Sequence, residues 1–94
     1  MARFVQPTTY HQLGFIRKVT GLKGMMVVHL DVPSILWNPS SIFFYRHHTY
    51  VPYLVDSWEQ RGGGAFLVLK DIANRTDAEV FRLMPIFISA DEAN

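Results

Sequence analysis

Apolar and polar residues alternate along most of this chain, in short runs that are separated by turn-forming residues. In the clearest run, Met25–Val32, every even position carries Met, Val or Leu, whereas the odd positions end in His29 and Asp31. An alternation with a period of two is typical of a strand that buries one face and exposes the other. This run therefore predicts a half-buried β-strand.

The same pattern predicts six strands in all. They are Tyr10–Thr20, Met25–Val32, Ile42–Arg46, Tyr50–Glu59, Ala65–Lys70 and Ile86–Ile88. The segments between them are rich in turn residues, with Gly21–Gly24, His47–Thr49 and Gln60–Gly64 short enough to join antiparallel neighbours. Pro52 cannot donate to a strand ladder, so its end of the fourth strand is predicted to be an edge, a strand start or a bulge.

One short helix is predicted after the fifth strand. Thr76–Glu79 fits a capping box, in which the Thr hydroxyl and the Glu carboxylate bind amides of the first turn. The helix is therefore expected to start near Thr76 and to end before Pro85. Its apolar side is expected to consist of Val80, Phe81 and either Leu83 or Met84.

Six short strands, tight turns and one short helix predict an all-β fold, namely a small six-stranded antiparallel β-barrel. Closing the sheet removes the exposed edges that strands rich in Phe and Val would otherwise offer to other chains. No repeat or internal linker interrupts the pattern, so residues 1–94 are expected to form a single β-barrel domain. Even about eight strands enclose only enough space for side chains, which disfavours a ligand cavity inside this barrel.

Charge is distributed unevenly, although the net charge is only +1. Residues 1–50 carry five Lys and Arg against one acidic residue, and residues 51–94 carry four against seven. The chain could touch phosphate at one edge, but dedicated RNA binders have denser basic patches. No apolar run approaches the roughly 20 residues that span a bilayer, and there is no cysteine. These features lead us to expect a cytoplasmic protein without a membrane partner.

Catalytic and metal-binding patterns are weak throughout. His47 and His48 are adjacent and would point to opposite faces of a strand, while His29 and Asp31 share a face but supply only two ligands, and zinc sites need three or four. Gly62–Gly64 lacks the Lys-Ser/Thr and the helix of a phosphate loop. We expect no enzyme activity, no metal and no cofactor. The Phe and Tyr residues lie in apolar strands, and most are expected in the core.

Two segments are open to more than one interpretation. In the Gly21–Gly24 loop the glycines suit positive φ angles, and Leu22 is either a presented contact or a plug for the barrel end. Lys23 is correspondingly either a contact or a solvated tip. In the loop Pro33–Ser41, the apolar residues Ile35–Trp37 either pack over a barrel end or form an exposed partner-binding patch.

The run Gly-Phe-Ile-Arg-Lys-Val-Thr-Gly-Leu-Lys-Gly, at Gly14–Gly24, resembles the opening strand and loop of the RimM family of bacterial ribosome maturation factors. The similarity continues in order through four further segments, Ile42–Tyr45, Tyr50–Val55, Phe66–Ile72 and Asp77–Ile88. The resemblance implies a six-stranded barrel of the kind found in translation elongation factors. It also implies a second, C-terminal PRC-barrel domain, which is expected to be absent from this chain.

The resemblance implies a non-enzymatic role in small-subunit assembly and ribosomal RNA processing, through binding a ribosomal protein of the small-subunit head. The precursor small subunit, with a peripheral contact to its RNA, would then be the wider partner. The partner-binding residues are expected at the loop and the basic pair beside it: Arg17, Lys18, Gly21, Leu22, Lys23 and Gly24. A small barrel that binds RNA directly, or binds a small ligand, is the alternative.

Overall fold

The alternating runs form strands close to where they are predicted. The computed structural model describes residues 9–32 and 38–89, and within them lie β1 (Tyr10–Thr20), β2 (Met25–Leu30), β3 (Ser41–Arg46), β4 (Thr49–Arg61), β5 (Gly64–Leu69) and β6 (Pro85–Ser89). The strands close into a barrel in the order β1-β2-β5-β4-β3-β6, and each neighbouring pair is antiparallel. The predicted six-stranded antiparallel barrel is confirmed.

Three tight hairpins set the order of the strands: β1 with β2, β3 with β4, and β4 with β5. At the β3–β4 turn, His47 and His48 have φ angles of 52° and 65°, which match the twist of a two-residue hairpin. Pro52 lies in the part of β4 that pairs with β3, while β4 pairs with β5 from Val55 onward. Pro52, which has no backbone N–H, therefore lies where β4 has one strand neighbour.

The barrel interior is filled by side chains from all six strands. Each strand contributes its inward-facing positions, and the short helical segment adds two more residues. The buried apolar residues are Leu13, Ile16, Val19, Met26, Val28, Leu30, Ile42, Phe44, Trp58, Ala65, Leu67, Leu69, Ala78, Phe81, Ile86 and Ile88. The interior is a packed core, as the small number of strands leads one to expect.

Three shifts in register, each typical of a β-bulge, interrupt the strict pairing of the described strands. In β1 the pairing with β6 shifts between Gln12 and Gly14 and the pairing with β2 shifts between Ile16 and Lys18, and in β4 the pairing with β5 shifts between Val55 and Ser57. A bulge inserts one extra residue, so that two consecutive side chains lie on the same side. Arg17 and Lys18 are consequently both exposed, between the buried Ile16 and Val19. The alternation alone would have turned Lys18 toward the core.

The helix starts earlier than the capping box predicts. The α-helix α1 is Arg75–Ala78, its N-cap is Asn74, and the Asn74 side-chain oxygen accepts a hydrogen bond of 2.9 Å from the Asp77 amide. The prediction of a capping box at Thr76–Glu79 was therefore wrong. Asn caps helices as well as Ser or Thr does, and the Arg75 amide also donates to the Leu22 carbonyl at 3.1 Å, which favours the earlier start.

The predicted apolar side of the helix was only partly right. Phe81 is buried and Met84 is half-buried, but Val80 and Leu83 are 57% and 61% exposed. The reason is that α1 ends after one turn and continues as a 3-10 turn at Glu79–Phe81, which changes the angular spacing of the side chains. The Phe81 ring enters the core, with its centroid 4.5 Å from that of Phe44.

A cluster of aromatic side chains lies on the outer surface where β1, β6, β3 and β4 meet. We call Tyr10, Phe43, Tyr50 and Phe87 the seam cluster; all four are half-buried. The Tyr10 and Tyr50 rings stack with centroids 3.9 Å apart, and the Tyr10–Phe43 and Tyr50–Phe87 centroids lie 5.0 and 5.1 Å apart. The expectation that most Phe and Tyr residues lie in the core was wrong, because rings on the outer face pair across strands.

The apolar segment Ile35–Trp37, for which packing and partner binding were both considered, lies outside the described residues. Within 9–32 and 38–89, no helix has the length and apolar character needed to cross a membrane.

We predict that Phe81→Ala lowers the free energy of unfolding by about 3–5 kcal/mol, because it leaves a cavity among buried rings. The neighbouring Val80→Ala is the control, since its side chain is exposed and its loss should cost no more than about 0.5 kcal/mol. Urea unfolding followed by circular dichroism measures both. Equal losses in the two variants would contradict the placement of Phe81 in the core.

Candidate partner-binding surface

The loop between β1 and β2 is a tight turn closed by its own glycines. The Gly24 amide donates to the Gly21 carbonyl at 3.4 Å, and the two residues have φ angles of +79° and +76°. Positive φ angles are strained for residues with a Cβ atom, so the two glycines allow the turn to be this short. The prediction of a chain reversal bracketed by these glycines is confirmed.

The loop is also fixed to the first turn of α1. The Leu22 carbonyl accepts the hydrogen bond from the Arg75 amide, and the backbone of Gly24 lies directly against the Asn74 carbonyl and the Ala78 side chain. A Cβ atom at Gly24 would lie 2.5 Å from the Asn74 oxygen, whereas one at Gly21 would meet nothing within 4 Å. The loop and the helix therefore hold each other in place, and the space at Gly24 is needed for that contact.

The side chains at the loop tip project away from the barrel. Leu22 is 89% exposed, and Lys23 is exposed without an ion pair to any described residue. With Thr20 and Met25 they line a shallow, mostly apolar depression. The interpretation of Leu22 as a plug for the barrel end was wrong, because the hydrogen bond to α1 holds its backbone while its side chain projects into solvent.

The structure separates the six predicted site residues into two groups. Gly21, Leu22 and Lys23 line the apolar depression and Gly24 is buried beside α1, whereas Arg17 lines a different groove on the outer face of the barrel. Lys18 lies opposite Val27 in the β1–β2 pairing and is exposed. Arg17 and Lys18 therefore lie on the outer face of β1, apart from the apolar depression at the loop tip.

We call the second feature the basic groove; it was not predicted, because its residues come from four different strands and one hairpin turn. Its charged and aromatic wall is formed by Arg17, His29, Arg61 and Phe66, and Gly63 and Gly64 lie at one end. The groove has a volume of about 340 Å³ and also contacts Val27, Val28 and Ala65. Arg61 pairs with Glu59 at 3.0 Å, and His29 lies 3.5 Å from Asp31.

The histidines of the described residues do not gather into a metal site. No three His, Cys, Asp or Glu side chains in 9–32 and 38–89 come close enough together to hold a metal ion. His29 and Asp31 do share an outer face, as their spacing predicts, and form a two-residue contact. His47 and His48 are exposed at the β3–β4 turn.

Comparison with known protein families identifies the chain over nearly its whole length. The model of the RimM N-terminal domain matches residues 11–93. The chain belongs to the RimM family. The matched region includes all of the loop, the basic groove and the helical segment, so both candidate surfaces lie within the RimM N-terminal domain.

A solved structure agrees with the RimM fold. It is a crystal structure from Pseudomonas aeruginosa that is described as a candidate 16S ribosomal RNA processing protein RimM, with a TM-score of 0.73 and 20% sequence identity. The alignment covers 89% of this chain and 52% of that chain, so the present RimM chain spans about half the length of the structure it matches. At this identity the similarity supports the barrel fold. The comparison with curated proteins gave no match.

We predict that Gly24→Ala destabilises the RimM domain more than Gly21→Ala does. Both substitutions pay the cost of a positive φ angle, about 1–2 kcal/mol, but only the Cβ atom at position 24 collides with the Asn74 carbonyl. Thermal unfolding of the two variants measures the difference. Amide hydrogen exchange should also show faster exchange at Arg75 in Gly24→Ala alone; similar behaviour of both variants would contradict the loop–helix contact.

Proposed function

We propose that this RimM N-terminal domain is a non-enzymatic ribosome maturation factor domain that acts in the cytoplasm. In this proposal it assists small-subunit assembly and ribosomal RNA processing by binding a ribosomal protein of the small-subunit head. The observation that carries the proposal is the family match over residues 11–93. The crystal structure with the same fold, described as a candidate 16S ribosomal RNA processing protein, is consistent with this role.

The loop is the surface that we assign to the ribosomal protein. Its backbone is held by the contact between Leu22 and Arg75 and by the packing of Gly24 on α1, so little conformational entropy remains to be lost on binding. Leu22 offers an apolar side chain that is 89% exposed, and Lys23 offers a charge beside it. An apolar anchor with a polar rim is the arrangement that carries most of the energy in protein interfaces.

Lys18 and Arg17 extend the positive charge along β1 from this loop. A precursor ribosomal subunit is rich in phosphate, and exposed cations raise the rate at which such a partner is encountered. In this proposal the basic pair therefore steers association, while Leu22 supplies the contact that persists in the complex. The role requires no cofactor and no catalytic step.

We further propose that residues 1–94 act as one folded unit within this role. The described strands form one closed barrel with one core, which supports independent folding. The alignment covers 52% of the matched Pseudomonas chain, and we assign no residue here to functions of the remainder of that chain or of the PRC-barrel domain of RimM proteins. The proposed role of this domain is therefore limited to binding.

We predict that the double substitution Leu22→Asp and Lys23→Glu weakens association with precursor small subunits at least tenfold. It removes both the apolar anchor and the charge, while the backbone bonds that form the loop are retained. Its effect on unfolding free energy should stay within about 1 kcal/mol, as is usual for exposed positions. Co-sedimentation of the tagged domain with precursor subunits measures the association.

The matched control is Val80→Asp with Lys70→Glu, because Val80 and Lys70 are also exposed and the change in net charge is the same. The control should bind like the parent. If the loop variant also binds like the parent, the loop is a structural element and the ribosomal partner contacts another surface. If both variants lose binding equally, the association depends on net charge rather than on the loop.

A further inference from the structure

We propose that the basic groove is a second binding site, which takes a single-stranded segment of RNA. In this arrangement one base stacks on the Arg61–Phe66 pair and an adjacent phosphate is bound by Arg17. The groove is distinct from the loop that we assign to the ribosomal protein, and the inference stands without that assignment.

The stacking platform is already assembled in the structure. The Arg61 guanidinium carbon lies 5.9 Å from the centroid of the Phe66 ring, and Glu59 accepts a hydrogen bond of 3.0 Å from Arg61. Unpaired bases stack on aromatic rings and on the planes of Arg guanidinium groups. Because Glu59 restrains Arg61 next to the ring, less side-chain entropy has to be lost when a base arrives.

A pair of aromatic rings, His29 with Phe15, lies beside the same groove. His29 lines the groove and lies opposite Phe15 in the β1–β2 pairing, with ring centroids 5.1 Å apart and planes tilted by 38°. Both rings are on the outer face, where Phe15 is half-buried and His29 is exposed. The groove thus lies between two platforms, and successive bases of a single strand can stack on more than one such platform.

Arg17 supplies the positive charge that is not already compensated. Arg61 and His29 each have a carboxylate neighbour, at Glu59 and Asp31, whereas Arg17 has no ion pair with any residue in the described part of the chain. Arg17 lies at the bulge in β1, on the outer face of the barrel, and lines the groove. We therefore expect contact with about one phosphate, which corresponds to a shallow salt dependence.

The combination of groups favours RNA over an acidic peptide. An acidic peptide would need cations, and two of the three basic side chains in the groove already have carboxylate partners. The half-buried rings of Phe66 and Phe15 give a carboxylate nothing to bind, whereas every base has a flat face to stack. Gly63 adds open backbone at one end, since a Cβ atom there would meet nothing within 4 Å, and this leaves room for a strand to enter.

The test uses the 94-residue chain and a fluorescein-labelled oligouridine of about ten nucleotides, a length within the range of single-strand sites. Fluorescence anisotropy is measured between about 50 and 200 mM salt. Arg17→Ala should weaken binding about fivefold at low salt and reduce the slope of log affinity against log salt by about 0.7. Phe66→Leu should weaken binding about tenfold at every salt concentration without a change in slope.

Two control substitutions remove the same charge elsewhere. Lys70→Ala removes an exposed cation, and Arg75→Ala removes an Arg that is paired with Glu79 at 3.3 Å, as Arg61 is paired with Glu59. Both should bind oligouridine within about twofold of the parent, because their cations lie outside the groove. Losses as large as that of Arg17→Ala would overturn the proposal in favour of non-specific attraction.

Three further results would also overturn it: no binding of oligouridine by the parent at about 50 mM salt, undiminished binding by both groove variants, and equal binding of a poly-glutamate peptide. Circular dichroism of each variant verifies the fold. The loop variant Leu22→Asp with Lys23→Glu retains the groove and should bind oligouridine within a fewfold of the parent. Failure of the loop assignment can thus be distinguished from failure of the groove assignment.

Discussion

Closure of the barrel between β3 and β6 is the constraint on which the rest of the molecule depends. Along this seam the described backbone pairing is the single match of Phe43 with Phe87, whereas β3 pairs with β4 along its whole length. The seam cluster supplies ring contacts across the same junction, and aromatic pairs contribute about 0.5–1.5 kcal/mol each beyond their buried area. Ring contacts on the outer surface thus add to the single backbone pair that joins β3 to β6. The closed sheet in turn encloses the core.

The helical segment connects this core to the Gly21–Gly24 loop. Phe81 packs between the buried ring of Phe44 and the half-buried ring of Tyr53, and a few residues earlier Asn74 and Arg75 hold the Gly21–Gly24 loop. The loop is therefore positioned by the core through one turn of helix, although its own side chains are exposed. This coupling explains how a short loop can be rigid and yet present an uncovered leucine.

The fold could be predicted from the sequence because burial of one face of a strand produces a local alternation of apolar and polar residues. Met25–Val32 shows this alternation clearly. The bulge at Arg17 could not be predicted in this way, because an inserted residue shows only in the pairing with the neighbouring strand. The N-cap at Asn74 is a local bond to the Asp77 amide, but the accompanying bond from the Arg75 amide to the Leu22 carbonyl joins residues far apart in sequence and could not be predicted from the local pattern. The basic groove depended on strand order, which brings Arg17 and Arg61 to one surface.

The antiparallel pairing of β1 with β6 places Tyr10 directly opposite Ser89. The first and last described strands are therefore neighbours, and the barrel has no intrinsic beginning. A circular permutation that links these two strands by a short turn, and opens the chain between His47 and His48, would keep every strand pair and relieve two positive φ angles. It follows that the architecture is encoded by which strands lie side by side, and that the order in which a ribosome synthesises them is incidental to it.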